Sequence, residues 1–252
     1  MDILTLDLKG VALAFVIAFF LLLSGGFTVD SAFFVGLMVY FLVLSAAVTR
    51  VGKKFKKRAK LWEETRGIKN VMANGYGPLI YAALFALGWN YLQALQPLFL
   101  VAFAASAAAV TSDKFSSEIG VLGSTPISIM TGKPVKKGVS GGITTLGTLA
   151  GLTGAFLIAL PILLYHSFVF AEGQGLSQCG SVCFGATTIA PAITVPAWLL
   201  AVTVGGFIGT MVDSILGYYE EKGIGSKYSS NFVCSMVGGF AGMLVYLLVA
   251  GL

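Results

Sequence analysis

Long stretches without any charged residue constrain this chain more than any other feature of its sequence. A membrane-spanning helix needs about 20 mainly apolar residues, and every uncharged stretch is long enough for at least one. The stretch from 70 to 112 is long enough for two crossings, with a break near the polar residues at 90–97. The uncharged stretches are 10–29, 31–49, 70–112, 138–171, 173–212 and 228–252.

The sequence therefore predicts one all-α polytopic membrane domain over 1–252 with about seven transmembrane helices. Only 11% of the residues are charged, against roughly 25% in a soluble domain, which excludes a soluble globule and intrinsic disorder. The first span lacks the basic start and small-residue site of a cleaved signal peptide. The predicted spans are about 10–29, 31–49, 75–90, 97–112, 141–166, 192–213 and 230–251, with cytoplasmic loops at 50–74, 113–140 and 214–229.

Positive charge predicts the orientation. With the N-terminus in the cytoplasm and the C-terminus outside, all 16 Lys and Arg residues fall on the cytoplasmic side, and only Asp30 and Glu172 on the other. Loops rich in Lys and Arg stay inside, so we expect a site on the cytoplasmic face of a prokaryotic plasma membrane. The basic segment from Arg50 to Lys69 favours membrane lipids as partners rather than nucleic acid; a funnel for an anionic substrate is the alternative.

Carboxylates at the cytoplasmic ends of spans are the main candidates for chemistry. Ionisable groups in or near spans are costly and are functional candidates. Asp113 and Glu118 follow the fourth span, and a turn would be needed to bring them together. Asp213 ends the sixth span in a row of glycines spaced by four, which permits close helix packing. Simple packing with a solvent-directed Asp213 is the alternative.

A loop rich in Gly, Ser, Thr and Lys lies between these carboxylates and resembles a phosphate-binding element. Backbone N–H groups at a helix start bind anions, glycines permit close approach, and Lys adds charge. It is not a Walker A loop, and glycine-rich membrane helices are common. The candidate residues here are Lys133, Lys136, Lys137, Gly141, Gly142 and Thr144, joined on the same face by Arg66, Asn70 and Asn74. In contrast, His166, Cys179 and Cys183 lie towards the outer side, where a disulfide is permitted.

Four motifs in order resemble those of the integral-membrane prenyl-phosphate kinases, which include plant phytyl-phosphate kinase and the animal transmembrane protein 19 group. Residues 66–75 resemble that family's Arg…Gln-Val-Leu-Ala-Asn-Gly segment, and 111–120 its Asp-Thr-x-x-Ser-Glu-x-Gly element. Residues 131–144 resemble its glycine-rich Thr-x-x-x-Val segment, and 209–217 its Gly-x-x-x-Asp-Ser-x-x-Gly element. Asn70, Lys114 and Val139 depart from the family pattern.

The resemblance implies CTP-dependent transfer of a γ-phosphoryl group to an isoprenoid monophosphate, with Mg²⁺ held by Asp113, Glu118 and Asp213. It assigns nucleotide and phosphate binding to the loop and Asn residues above. The expected headgroup residues are Ser112, Lys114, Ser214 and Asn231. A prenyl phosphate lipid, a nucleoside triphosphate and membrane lipids are the expected partners, and the sequence leaves a homo-oligomer open.

Other functional classes remain open at this point. A polyprenol kinase would need a general base, and a CDP-alcohol phosphotransferase or cytidylyltransferase would share the metal and CTP. A small-solute transporter usually carries its charged residues near the bilayer midplane, whereas these cluster at one surface. A non-catalytic membrane scaffold is the remaining alternative.

Overall fold

The computed structural model describes residues 6–62, 67–88, 91, 93–165 and 195–250. Within them, six helical segments are long and apolar enough to cross a membrane, and a 17-residue apolar helix precedes them. The predicted all-α polytopic class is confirmed, and the predicted count of about seven is close. The helices are α1 Leu8–Ser24, α2 Val29–Arg50, α3 Lys53–Arg58, α4 Ile68–Gly88, α5 Gln96–Gly120, α6 Thr145–Ala159, α7 Val195–Glu220 and α8 Lys227–Ala250.

Short irregular elements join these helices. A 3₁₀ turn, Gln93–Leu95, precedes α5, so the predicted break near 90–97 is confirmed. Two short antiparallel strands, β1 Ile127–Ser128 and β2 Gly142–Ile143, close the loop between α5 and α6. Beyond Ala159 the α6 segment continues as a helical stretch to Tyr165. These connections keep the glycine-rich loop beside the ends of the long helices.

Side-chain caps fix where several helices begin. The Asp7 carboxylate accepts a hydrogen bond from Gly10 N at the start of α1, and Thr28 Oγ1 accepts one from Asp30 N at the start of α2. Thr144 Oγ1 accepts from Gly147 N, 3.0 Å away, and so starts α6. Such caps satisfy N–H groups that have no partner within the helix. The cap at Thr144 determines where the loop ends and α6 begins.

The helix α5 lies at the centre of the fold. It contacts α2, α4, α6, α7 and α8, and its middle is a run of alanines that are almost fully buried. Because alanine side chains are short, neighbouring helices approach α5 closely. The alanine-rich middle of α5 is therefore packed on all sides, whereas its last turns, which include the exposed Ser117, are only partly buried.

Two helices extend beyond their predicted ends. The spans predicted to stop at 112 and 213 continue as α5 to Gly120 and as α7 to Glu220. The helix α4 begins at Ile68, before the predicted 75. The predicted loops at 50–74, 113–140 and 214–229 therefore contain helical residues. The polar residues of these turns find partners, as at Glu118, and do not end the helix.

Glycines bring α7 and α8 into backbone contact. A Cβ atom placed on Gly205 would lie 2.5 Å from Gly242 Cα, and one on Gly209 would lie 2.6 Å from Cys234 O. The close approach predicted from the glycine row of α7 is confirmed. It holds the end of α7, with Asp213, against both α5 and α8.

Candidate functional site

Two carboxylates from different helices meet near one end of the helix bundle. The side chains of Asp113 on α5 and Asp213 on α7 lie close enough to interact electrostatically. Both residues are half-buried, and Asp213 Oδ1 is a buried oxygen without a hydrogen-bond partner among the described residues. An unpaired buried carboxylate oxygen is costly unless a ligand supplies a partner.

A cavity of about 160 Å³ opens beside this pair. Besides Asp113 and Asp213, its wall contains Glu220 from the end of α7 and Lys227 from the start of α8. Both act electrostatically on the two aspartates, Lys227 attractively and Glu220 repulsively. The cavity thus combines a carboxylate cluster, which favours a cation, with an ammonium group, which favours an anion.

The predicted glycine-rich loop forms another wall of the cavity. Gly141 has φ +77° and packs on α7 so closely that a Cβ would lie 2.7 Å from Tyr218 N. The carboxylate of Glu221 accepts a hydrogen bond from Ser140 N, 2.9 Å away. Only a residue without a side chain fits this approach. The backbone of 138–142 is therefore exposed to the cavity along the end of α7.

The start of α6 and the end of α5 complete the wall. Thr144, Gly147 and Ser116 all line the cavity. Ser116 Oγ donates a hydrogen bond to Gly147 O at 2.9 Å, and Thr144 Oγ1 donates to Gly120 O at 3.4 Å. These bonds hold the N-terminus of α6, which carries a partial positive charge, at the cavity.

Glu118 does not join the aspartates, which corrects the predicted metal-holding trio. Its Oε2 lies 2.6 Å from Lys56 Nζ, and its Oε1 lies 2.6 Å from Lys114 Nζ. Because α5 continues without a turn, residues five apart point in directions about 140° apart. Among the described residues, no group of three His, Cys, Asp or Glu side chains could hold a metal ion.

The lysines of the loop also differ from the predicted phosphate clamp. Lys137 Nζ donates to Val121 O and Gly123 O, at 3.0 and 2.6 Å, and so holds the segment after α5. Lys133 and Lys136 are exposed and do not line the cavity. Lys227 and Glu220, which sequence reasoning missed, occupy the wall instead. The sequence feature that could have identified them is their position on either side of the turn between α7 and α8.

The remaining predicted residues divide between two places. Gly141, Gly142, Thr144 and Ser214 line the cavity. Ser112 is buried beside α6, where its Oγ would lie 3.1 Å from a Cβ on Gly151. Predicted residues outside the described ones are Arg66, His166, Cys179 and Cys183.

Three asparagines form a separate hydrogen-bonded chain. Asn231 Nδ2 donates to Asn74 Oδ1, and Asn74 Nδ2 donates to Asn70 Oδ1, both at 2.9 Å. Asn70 and Asn74 line an apolar groove between α1, α2 and α4. The structure therefore groups all three predicted asparagines, with Asn70 and Asn74 at a groove and none of the three in the wall of the carboxylate cavity.

The residues of the cavity fit a hard divalent cation with an anionic ligand. Mg²⁺ is commonly bound through one or two carboxylates together with substrate phosphates. Asp113 and Asp213 offer those carboxylates, and the unpartnered Asp213 Oδ1 is a free acceptor. Lys227, the loop backbone and the α6 N-terminus could bind phosphate.

Comparison with known proteins places the chain among membrane proteins. Residues 3–235 match a family described as integral membrane protein DUF92. An uncharacterized membrane protein of Methanocaldococcus jannaschii is 36% identical over 243 residues, which covers 96% of this chain and 86% of that protein. Protein PGR of Arabidopsis thaliana is 31% identical over 225 residues, covering 84% of this chain and 71% of that protein. No solved structure shows a significant match.

Proposed function

The chain belongs to the integral membrane protein family DUF92, and we propose that it is a CTP-dependent kinase that phosphorylates a membrane isoprenoid monophosphate. The acceptor is of the phytyl or geranylgeranyl phosphate type, and the product is the diphosphate. The observation that carries this proposal is the pair Asp113 and Asp213 beside a cavity that also contains Lys227. The ordered motif resemblance to prenyl-phosphate kinases supports the choice of substrate.

Asp113 and Asp213 would hold Mg²⁺ in this proposal. Bound to both protein and nucleotide, the ion would neutralise phosphate charge. Glu220 lies close enough to both aspartates to add negative charge without joining them as a third clustered ligand. The proposed ligand set is therefore two carboxylates, with substrate oxygens and water completing the coordination.

The loop 138–142, the start of α6 and Lys227 would bind the phosphates of the nucleotide. Phosphoryl transfer depends mainly on alignment and charge stabilisation. Gly141 leaves the backbone exposed next to α7, and the Thr144 cap fixes the N-terminus of α6 at the same cavity. The N–H groups of Val139, Ser140 and Gly142 already donate within the protein. Phosphate binding would therefore rest on the Lys227 charge, the close backbone approach at Gly141 and the partial positive charge at the α6 N-terminus.

The transfer itself requires no catalytic base. An oxygen of the acceptor monophosphate attacks the γ-phosphorus of CTP, the bond from that phosphorus to the β-phosphate oxygen breaks, and CDP leaves. The acceptor is largely dianionic at pH 7 because its second pKa is about 6. The described residues that line the cavity include no histidine, which suits an acceptor that is already ionised.

The basic loops support a site on the cytoplasmic face, in a prokaryotic plasma membrane. The carboxylate pair lies near the C-terminal ends of α5 and α7, the same end of the bundle as the lysine-rich helix α3. Positive loops remain in the cytoplasm, where CTP is available. The lipid acceptor would reach this end from within the bilayer.

A direct assay tests the function. The purified protein in lipid nanodiscs is incubated with Mg-CTP and either geranylgeranyl phosphate or geranylgeraniol, and the lipid products are identified by mass spectrometry. We expect the diphosphate from the phosphate acceptor, and no product with Asp113→Asn. Faster phosphorylation of the alcohol would indicate a polyprenol kinase, a CDP-linked lipid would indicate a cytidylyl or CDP-alcohol transferase, and no product would overturn the proposal.

A further inference from the structure

A groove between three helices of the fold has a polar end and an apolar end. It lies between α1, α2 and α4, and three of its fifteen lining residues are polar: Ser45, Asn70 and Asn74. The remaining lining residues, which include Ile17, Leu21 and Met38, are apolar or glycine. Such a surface suits an amphipathic ligand with one polar end.

The helix directions place all three polar residues at the same end of the groove. Ser45 is near the C-terminus of α2, whereas Asn70 and Asn74 are in the first two turns of α4. The opposite end is formed by Leu21, late in α1, and Val35, early in α2. From Val35 to Ser45 the groove follows ten residues of α2, or about 15 Å.

The asparagine chain connects this polar end to the carboxylate cavity. Asn74 accepts a hydrogen bond from Asn231 on α8. Lys227, which lines the cavity, is four residues before Asn231 in the same helix and hence on the same face, about 6 Å along the axis. One turn of α8 and the Asn231–Asn74 hydrogen bond therefore connect the wall of the cavity to the polar end of the groove.

A second apolar cavity has no such connection to the carboxylate cavity among the described residues. It has about 600 Å³, against about 80 Å³ for the groove between α1, α2 and α4, and lies between α2 and the end of the α6 segment, near Val29, Phe33 and Tyr165. The hydroxyl of Tyr165, which lines this cavity, donates a hydrogen bond to the buried carboxylate of Asp30. Asp30 is fifteen residues from Ser45 along α2, about 22 Å, at the end of the bundle away from Asp113.

Resting on the proposed function, we propose that the groove between α1, α2 and α4 holds the isoprenoid chain of the acceptor lipid. The chain lies along Ile17, Met38 and Leu21, while Asn70 and Asn74 contact its headgroup end and direct the phosphate towards Lys227. The groove then selects acceptors by chain length, because a longer chain buries more apolar surface along α2.

Equilibrium binding without nucleotide tests this groove independently of catalysis. Labelled geranylgeranyl phosphate and the shorter geranyl phosphate are bound to the full-length protein in detergent. Ala18→Trp fills the groove from α1, and Ala12→Trp adds the same side chain on an exposed face of that helix. Asn70→Ala removes one headgroup contact.

We expect Ala18→Trp to weaken the binding of geranylgeranyl phosphate at least ~10-fold. Displacing two buried CH₂ groups of the chain from the groove would remove about 1.6 kcal/mol of binding free energy. The binding of geranyl phosphate should weaken less than about twofold. Ala12→Trp should leave the affinity for both ligands unchanged. Asn70→Ala should weaken both ligands by a similar factor. Equal effects of the two Trp variants, or no binding of either ligand to the unmodified protein, would overturn the groove.

The outcomes separate this inference from the proposed function. Tight, chain-length-dependent binding without any phosphoryl transfer from CTP would support the proposed groove and contradict the proposed kinase activity. The opposite result is phosphoryl transfer from CTP with the same chain-length preference in Ala18→Trp and in the unmodified protein. It would support the kinase activity and contradict the groove.

Discussion

The ammonium nitrogen of Lys56 lies 2.6 Å from Oε2 of Glu118, across a sequence separation of 62 residues. Lys56 is 1% exposed and also donates to Thr49 O at 3.1 Å. The contact attaches the short basic helix α3 to the end of α5. The other residues of α3, three lysines, Phe55 and Arg58, are exposed, so Lys56 is the buried, structural lysine of this helix.

Removing one partner of this ion pair should destabilise the protein without removing activity. A buried charge left with no partner costs about 3–5 kcal/mol, and the cost here should be smaller because Glu118 keeps its ion pair with Lys114. Lys56→Ala should therefore lower the thermal unfolding temperature and expose α3 to trypsin, and Lys56→Met with Glu118→Gln should recover part of the loss. Turnover per folded molecule should persist, because Glu118 does not line the cavity. If Lys56→Ala has normal stability but no turnover, the Lys56–Glu118 pair would belong to the catalytic site.

Replacing Asp213 by Asn should separate metal binding from folding. We expect Asp213→Asn to lose at least ~10²-fold in turnover, since metal-based charge stabilisation is worth several kcal/mol. Without Mg²⁺ the variant should unfold at the same temperature or higher, because two close carboxylates no longer repel. Adding Mg²⁺ and CTP should stabilise the unmodified protein in a thermal-shift assay but not the variant. Equal stabilisation of both would exclude Asp213 as a ligand.

Two glycines with positive φ provide a matched pair of variants. Gly132 has φ +66° and no heavy atom within 4 Å of an added Cβ, whereas the Cβ on Gly141 would meet Tyr218 N at 2.7 Å. Gly132→Ala should cost about 1–2 kcal/mol from backbone strain alone. Gly141→Ala should cost an additional 1–3 kcal/mol, roughly, from the clash with α7, and should weaken nucleotide binding. Similar unfolding curves for the two variants would contradict the docked position of the loop.

Lys227 should bind nucleotide phosphate, and Lys136 should not. Lys227 lines the cavity, and Lys136 is an exposed lysine outside its wall. We expect Lys227→Met to raise the KM for CTP at least ~10-fold through loss of a charged phosphate contact. The matched variant Lys136→Met should leave KM unchanged. An equal rise in both would indicate a general effect of positive charge.

The orientation can be tested with cysteine labelling. In a background with the three native cysteines replaced by serine, Lys57→Cys and Lys222→Cys should react only when the cytoplasmic side is accessible. Both positions are exposed and lie in lysine-rich segments. A tag after Leu252 should be accessible from the opposite side. Accessibility of the tag and of Lys57→Cys from the same side would contradict an odd number of spans.

Much of the fold follows from local patterns in the sequence. The uncharged stretches predict the long helices because a span must satisfy its own backbone hydrogen bonds in lipid. The four-residue glycine spacing in α7 predicts the close approach of another helix and the enclosed position of Asp213. The start of α5 is also local, since Gln96 and Pro97 follow the turn Gln93–Leu95.

The remaining features depend on contacts between distant segments. The sequence indicates a basic segment at 50–69 that favours membrane lipids as partners. It gives no sign that Lys56 is buried, because the partner Glu118 is on another helix. Asp113 and Glu118 differ in role only because α5 continues past both. Lys227 enters the cavity because α8 packs on α7, a relationship that position in the sequence alone does not reveal.

The backbone contact between Gly205 and Gly242 determines how freely the two aspartates can move. No side chain separates α7 from α8 there, and an added Cβ on Gly205 would lie 2.5 Å from Gly242 Cα. Because the two backbones are in direct contact, no side chains between them could change rotamer to accommodate a rotation of α7. Close-packed interiors resist such deformation. The helix α7 also packs closely on α5, since an added Cβ on Gly206 or Gly209 would lie 2.6 Å from the Cβ of Ala108 or Ala109. The spacing of Asp113 on α5 and Asp213 on α7 is therefore fixed when the helices assemble and is not readjusted in each turnover.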